Sequence, residues 1–230
     1  MTPTVVVVGC GFVGSIFTTE FLKLMYAGKL PFALRFIDSD TVEERNAANQ
    51  NFRLLDAGKP KALVMAKLAE DNGREGQWER ERLDAGNMEA LTADANLVVD
   101  AVDNMATRQL LWGFGMADTP VPVLHIGIAL EGTGNVEWTH PKHDTFSLAP
   151  HKVYGQKIVD PESGVTPPCE LVRMRAVGWN TSYAAAVAAA LYFGFDPSAH
   201  LGGRPSQGWL TEWAGRVDGH FPVRDTWAKV

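Results

Sequence analysis

The run Val5-Val6-Val7-Val8-Gly9-Cys10-Gly11-Phe12-Val13-Gly14, together with the residues from Ser15 to Asp38, decides the fold. Four β-branched residues in a row mark a short strand buried on both faces. Ser15 to Met25 reads as a helix with Ile16, Phe17, Phe21 and Leu22 apolar, and Leu34-Arg35-Phe36-Ile37 as a second strand ending on Asp38. Each part has a mechanical role. Gly9 permits the tight turn, Gly11 lets a phosphate approach the backbone, and Gly14 lets the helix pack close to the strand. The helix N-terminus offers free N–H groups and a positive dipole end to an anion. Asp38 is placed to accept hydrogen bonds from ribose hydroxyls. An adenine nucleotide is therefore expected here, and this motif alone suits NAD as well as ATP.

Beyond Asp38 the chain alternates. The polar segment from Asp40 to Leu55 reads as loop and short helix at the carboxyl end of a sheet, where ligands bind in open α/β folds. Gly58-Lys59-Pro60-Lys61 opens a helix through Asp71, with Pro60 in its first turn. Strands are expected at Trp78–Leu83, Asn96–Asp100, Val121–Ile128 and Gly134–Trp138, and helices at Asn87–Thr92 and Thr107–Gly113. This alternation predicts an α/β fold with a doubly wound, Rossmann-like, mostly parallel sheet. The segment 141–168 is too long for an ordinary connection and reads as a lid or crossover loop. Cys169 ends it, and Glu170 to Phe195 forms a long Ala-rich helix. The tail, with Trp209, Trp213, Asp218-Gly219 and Phe221, reads as a hairpin covering a sheet edge.

Composition narrows the function classes. The chain has 230 residues, enough for one domain with a sizeable core, and a single domain over 1–230 is expected. A hydrophobic fraction of 46% and a charged fraction of 21% describe an ordinary soluble globule. A net charge of -6 argues against a nucleic-acid surface. No basic region precedes an apolar segment at the N-terminus, so no signal peptide is expected, and Ala184–Phe195 is too short to span a bilayer. Two cysteines, Cys10 and Cys169, fit a reduced cytoplasmic setting and cannot build a zinc site unaided. Loop histidines His140, His143 and His151 read as surface residues rather than metal ligands.

Three ordered motifs then carry a resemblance. Asp38-Ser39-Asp40-Thr41-Val42-Glu43-Glu44-Arg45-Asn46-Ala47-Ala48-Asn49-Gln50 is followed by Gly58-Lys59-Pro60-Lys61. Asp100-Ala101-Val102-Asp103-Asn104 with Thr107-Arg108 comes next, and later Pro168-Cys169 before the Ala-rich helix. This series resembles the ThiF/MoeB family, the adenylating enzymes related to ubiquitin-activating enzymes, over about residues 4 to 195. The resemblance implies ATP rather than NAD. Asp38 would hold the ribose, and Asn46 and Lys61 the phosphates. Asp40 and Gln50, within the matched run, join the nucleotide-contacting set. Asp103 would bind magnesium near the phosphates, with Asn104 and Arg108 holding that turn in shape. Carboxylate attack on an α-phosphorus needs cations around the phosphates, whereas hydride transfer would not need Lys61 beside Asp103. Taken alone, Lys61 reads as a solvated helix lysine and Asp103 as an N-cap.

The departures from the pattern also set expectations. The family's Arg-Gln pair is Asn49-Gln50 here, and Arg45 or Arg53 is expected to supply the missing phosphate contact. The first strand already begins at Val5, so the helical extension that often lends an arginine across a family dimer is not expected, although a homodimer is. Paired Cys-x-x-Cys zinc motifs have no counterpart. Cys169 has two readings: a nucleophile holding an acyl group after adenylation, or a small apolar residue packed near a helix start. The expected activity is ATP- and magnesium-dependent adenylation of a carboxylate with release of pyrophosphate. The carboxylate belongs either to a small molecule or to the C-terminal glycine of a ubiquitin-like or sulfur-carrier protein. An NAD(P)-dependent oxidoreductase and a nucleotide-binding sensor or scaffold without turnover are the alternatives.

Overall fold

The computed structural model describes residues 2–117, 121–128, 134–139 and 172–195. The valine run is β1 (Thr4–Val8), followed by α1 (Phe12–Ala27) and β2 (Ala33–Ile37). Two short 3-10 helices, Glu44–Ala48 and Leu54–Asp56, lead to α2 (Lys61–Asp71) and β3 (Glu75–Glu79). Then come α3 (Met88–Thr92), β4 (Leu97–Asp100), α4 (Met105–Met116), β5 (Val123–Ile128), β6 (Gly134–Thr139) and α5 (Val172–Tyr192).

Six strands form one sheet in the order β3-β2-β1-β4-β5-β6. All neighbouring pairs are parallel except β5 and β6, which run antiparallel. Successive side chains of a strand point to opposite faces, so β1 feeds two cores. Val5 and Val7 join Phe17, Phe21, Leu34, Phe36 and Ala185 on the face covered by α1, α2 and α5. Val6 and Val8 join Leu83, Val98, Leu111 and Val123 on the other. A strand with both faces buried must be apolar throughout, which is why the signal in β1 was so plain.

The strand order reverses between β1 and β4. In an open α/β sheet the crevice outside the carboxyl ends at such a point is where ligands bind. The glycine loop leaves β1 there, Asp38 leaves β2, and Asp103 follows β4.

One strand differs from the sequence expectation. β3 spans Glu75–Glu79 rather than 78–83, with Glu75 to Glu79 registered against Ala33 to Ile37. It lies at the sheet edge and is only half covered, so its polar residues give no alternating pattern to read. Cys169, the segment 141–168, the loop histidines and the tail with Trp209 and Trp213 lie outside the described residues. Among the described residues, no helix is long and apolar enough to cross a membrane.

Candidate functional site

The glycine loop is built by close approach. Gly9 has φ +89°, a left-handed conformation, and a Cβ there would stand 2.8 Å from the Ala101 carbonyl oxygen. A Cβ on Gly14 would stand 1.9 Å from the Gly9 carbonyl oxygen, so α1 can seat on the turn only with glycine there. Gly11 is different: no atom lies within 4 Å of where its Cβ would be. That space lies at the first turn of α1, where free backbone N–H groups favour an anion.

Asp38 ties this loop to β2. Its Oδ2 accepts the Cys10 backbone N–H at 2.6 Å and its Oδ1 accepts the Asp40 N–H at 2.7 Å. Burial pushes the Asp38 carboxyl up, while those two backbone N–H groups pull it back. Each oxygen keeps a second lone pair for a ribose hydroxyl. Cys10 is fully buried, and burial, followed by the charge of Asp38, drives its thiol well above the ordinary range. A thiol so protonated is inert.

Lys61 is delivered by a short zipper. The Val42 N–H donates to the Lys59 carbonyl at 2.8 Å, Gly58 to Val42 at 2.8 Å, and Lys61 to Asp40 at 2.9 Å. The Lys61 ammonium then lies 2.8 Å from Asp40 Oδ2, with the lysine side chain 10% exposed and the aspartate 63%.

The loop after Val42 is docked onto α1 by Asn51. Its N–H donates to Ser15 Oγ at 3.1 Å and its Nδ2 to Thr19 Oγ1 at 2.9 Å. Asn46 is buried, and its Oδ1 accepts the Glu43 N–H at 2.8 Å, closing a capping box. The side-chain oxygens of Asn49 and Gln50 are buried without a hydrogen-bond partner. Leaving such a group unmade costs about 1–3 kcal/mol. Arg45 and Arg53 are both turned outward, 75% exposed and paired with Glu43 and Asp56 respectively. The structure therefore gathers the glycine loop, Asp38, Asp40, Lys61 and the Asn46–Gln50 loop, while the guanidinium groups of Arg45 and Arg53 are engaged with Glu43 and Asp56.

The turn after β4 completes the set. Asn104 caps α4, its Oδ1 accepting the Thr107 N–H at 2.9 Å. Asp103 is thus not the cap, and its carboxylate is exposed with no pairing partner among the described residues. Arg108 is buried and donates to the carbonyls of Val102 and Ile126, the latter at 3.0 Å. Among the described residues no group of three or more His, Cys, Asp or Glu could hold a metal. A magnesium ion here would rest on one carboxylate and on phosphate oxygens, a set that magnesium accepts.

Sequence reasoning passed over three side chains: Asn51, the anchor of the loop, and the buried pair His125 and Thr139. Asn51 stood in a crowd of polar residues with nothing to single it out. His125 had a signal, a lone polar residue inside the apolar run Val123-Leu124-His125-Ile126.

Comparison with curated proteins finds no match. Solved structures do resemble the chain. E. coli MccB with succinimide has a TM-score of 0.59 at 15% identity, over 84% of this chain and 56% of MccB. E. coli TcdA, a tRNA N6-threonylcarbamoyladenosine dehydratase in complex with ATP, has a TM-score of 0.48 at 22% identity, over 54% and 50%. PaaA has a TM-score of 0.45 at 25% identity, over 54% of this chain and 38% of that one. The matched regions thus span about half or less of PaaA and TcdA and 56% of MccB. The MccB likeness supports the fold. The sequence profile of the ThiF family matches residues 2–190, a span that takes in every element of this site, and the chain belongs to that family.

Proposed function

We propose that the protein binds Mg-ATP and adenylates a carboxylate, releasing pyrophosphate. The observation that carries the reading is Asp103: a carboxylate at the switch point of the sheet, relieved of helix capping by Asn104 and left facing solvent. In this reading the substrate carboxylate attacks the α-phosphorus, the bond to the bridging oxygen breaks, and pyrophosphate leaves with that electron pair. Magnesium, when bound, would neutralise charge on the phosphate oxygens. The chain's own residues do the rest. The first turn of α1 and Gly11 receive phosphate, Lys61 exchanges Asp40 for a phosphate oxygen, and Asp38 accepts from the ribose. Asn46 and Gln50 line the loop over α1, and Asp103 with Asn104 forms the far wall.

The carboxylate belongs to a small molecule or to the C-terminal glycine of a carrier protein. The assembly is a homodimer in the cytoplasm, where the two thiols stay reduced. Residues 1–230 act as one domain, with 141–168 as its lid. Cys169 is either a covalent acyl carrier or a packed residue. Cys169→Ala separates these, since only the carrier reading loses acyl transfer while keeping pyrophosphate exchange.

Calorimetric titration of ATP with magnesium against NAD tests the reading. Tighter ATP binding, with pyrophosphate exchange for at least one carboxylic acid, is the expected result. Equal or tighter NAD binding would favour an oxidoreductase and sink the proposal. A second reading, a sensor without turnover, has one observation in its favour: Asn49 replaces the arginine, while Arg45 and Arg53 both face solvent. Tight ATP binding with no exchange for any acid, and both guanidinium groups still outward in the complex, would select it.

A further inference from the structure

Behind the Asp103 turn lies a polar cluster in an otherwise apolar core. Asp100, the last residue of β4, is fully buried and registered beside His125 of β5. His125 Nδ1 is 2.6 Å from Asp100 Oδ2, and its Nε2 is 2.9 Å from Thr139 Oγ1 at the end of β6. All three are shielded from water. Helix α4 closes over them, since a Cβ on Gly115 would stand 2.3 Å from the Thr139 hydroxyl.

The protonation pattern is set by the partners. Burial alone would raise the Asp100 carboxyl, but the Arg108 guanidinium 3.4 Å away and the His125 bond outweigh it and hold it below the usual range. An ionised Asp100 has no proton to give, so the short contact needs the proton on His125 Nδ1. The Thr139 hydroxyl then donates to Nε2, which selects that tautomer.

The other oxygen of the same carboxylate reaches the site. Asp100 Oδ1 accepts the Val102 N–H at 3.2 Å, while Arg108 donates to the Val102 carbonyl. Both peptide groups of the residue before Asp103 are thus clamped. On the far side Ala101 and Val102 press against Gly9. A carboxylate is planar and rigid, so whatever fixes Oδ2 also fixes Oδ1.

We propose that His125, backed by Thr139, is a positioning residue: it locks the rotation of the Asp100 carboxylate, which holds Val102 and thereby aims Asp103 at the phosphates of a bound nucleotide. This rests on the reading that Asp103 serves Mg-ATP. Removing a group bonded directly to a metal ligand typically costs about 10–100-fold in metal affinity, and His125, which acts through Asp100 and Val102, belongs at the low end of that range.

The test is the gain in ATP affinity on adding magnesium, measured by calorimetry against an EDTA control, in the wild type, His125→Asn, His125→Leu and Thr139→Val. Asn places an amide N–H where Nδ1–H stood, so His125→Asn should keep most of the magnesium gain. His125→Leu should lose about tenfold of it, with ATP binding in EDTA unchanged. Thr139→Val adds no bulk and should lose part of the gain even if His125→Leu does not fold. Nitrogen NMR of labelled histidine in the wild type should show His125 protonated at Nδ1. A merely structural role would lower the unfolding temperature and leave the magnesium gain intact in every folded variant. That result, or an Nε2–H tautomer, overturns the inference alone. No magnesium gain in the wild type overturns it together with the Mg-ATP reading.

Discussion

Lys61 and Asp40 are joined twice, by a backbone hydrogen bond of 2.9 Å and by an ion pair of 2.8 Å between their side chains. The ammonium is nearly buried and the carboxylate mostly exposed. An exposed partner is screened by water, so the pair itself adds little stability. Its effect is to hold a cation beside the glycine loop, and in the proposed reading that cation trades one oxygen ligand for another.

That trade gives the first prediction. Lys61→Met should lower ATP affinity by roughly 10- to 150-fold, the equivalent of a charge-assisted hydrogen bond of about 1.5–3 kcal/mol. Asp40→Asn should change ATP affinity far less, because the backbone bond to Lys61 survives. Calorimetry on both variants decides, and a Lys61→Met loss below about threefold would remove the lysine from the phosphate site.

The two glycines that differ in surroundings should differ in consequence. Gly14→Ala puts a methyl carbon 1.9 Å from the Gly9 carbonyl oxygen and should lower the unfolding midpoint markedly. Alanine within a helix normally stabilises by up to about 1 kcal/mol, so a loss here reports the clash. Gly11→Ala meets nothing within 4 Å, should leave the unfolding midpoint nearly unchanged, and should weaken ATP binding. Equal effects of both variants on both measurements would contradict an anion site at Gly11.

Asp103→Asn should keep the circular dichroism spectrum and the unfolding temperature, because Asn104 caps α4 without its help. It should abolish the magnesium-dependent gain in ATP affinity. An undiminished gain would take Asp103 out of the site.

Asp56 gives a pH prediction. The buried carboxylate anchors the loop base, accepting from Arg53 and from Lys59 Nζ at 2.9 Å. The Arg53 hydrogen bond, against a burial penalty and with help from Lys59, holds its carboxyl far below the ordinary range. A depressed folded value means the stabilisation is present above the unfolded value, about pH 3.9, and is lost as pH falls toward the folded one. Wild type should therefore exceed Asp56→Asn in urea midpoint by the same margin at pH 7 and pH 5, and by less at pH 3.5. A margin that widens on acidification would be the wrong sign.

What could be read from the chain depends on the physics of each signal. The valine run and its glycines were legible because a central parallel strand must be apolar on both faces and its turn must lack side chains. Asp38, Lys61 and Asp103 stood out in the sequence as a spaced set, but the partners that the fold gives each of them did not. That Asn104 rather than Asp103 caps α4 depends on one residue of helix phase. The edge strand β3 was misplaced because half-exposed polar residues carry no period. The histidines that drew attention, His140, His143 and His151, lie outside the described residues, while His125 sits in the core, where its partners come from 25 residues upstream and 14 downstream. Partners so distant in sequence leave no local pattern.

The zipper that joins residues 40–42 to 58–61 has a consequence for how this surface can change. Its three backbone bonds close the base of the excursion 43–57, so Asp38 and Lys61 keep their separation whatever the chain does in between. Lengthening a loop whose ends are already pinned adds only about 0.6 kcal/mol per doubling. The excursion is thus a cassette: a graft from another sequence, keeping Asn51 as its clip to α1, could alter what is recognised above the phosphates and leave the cation beneath them in place.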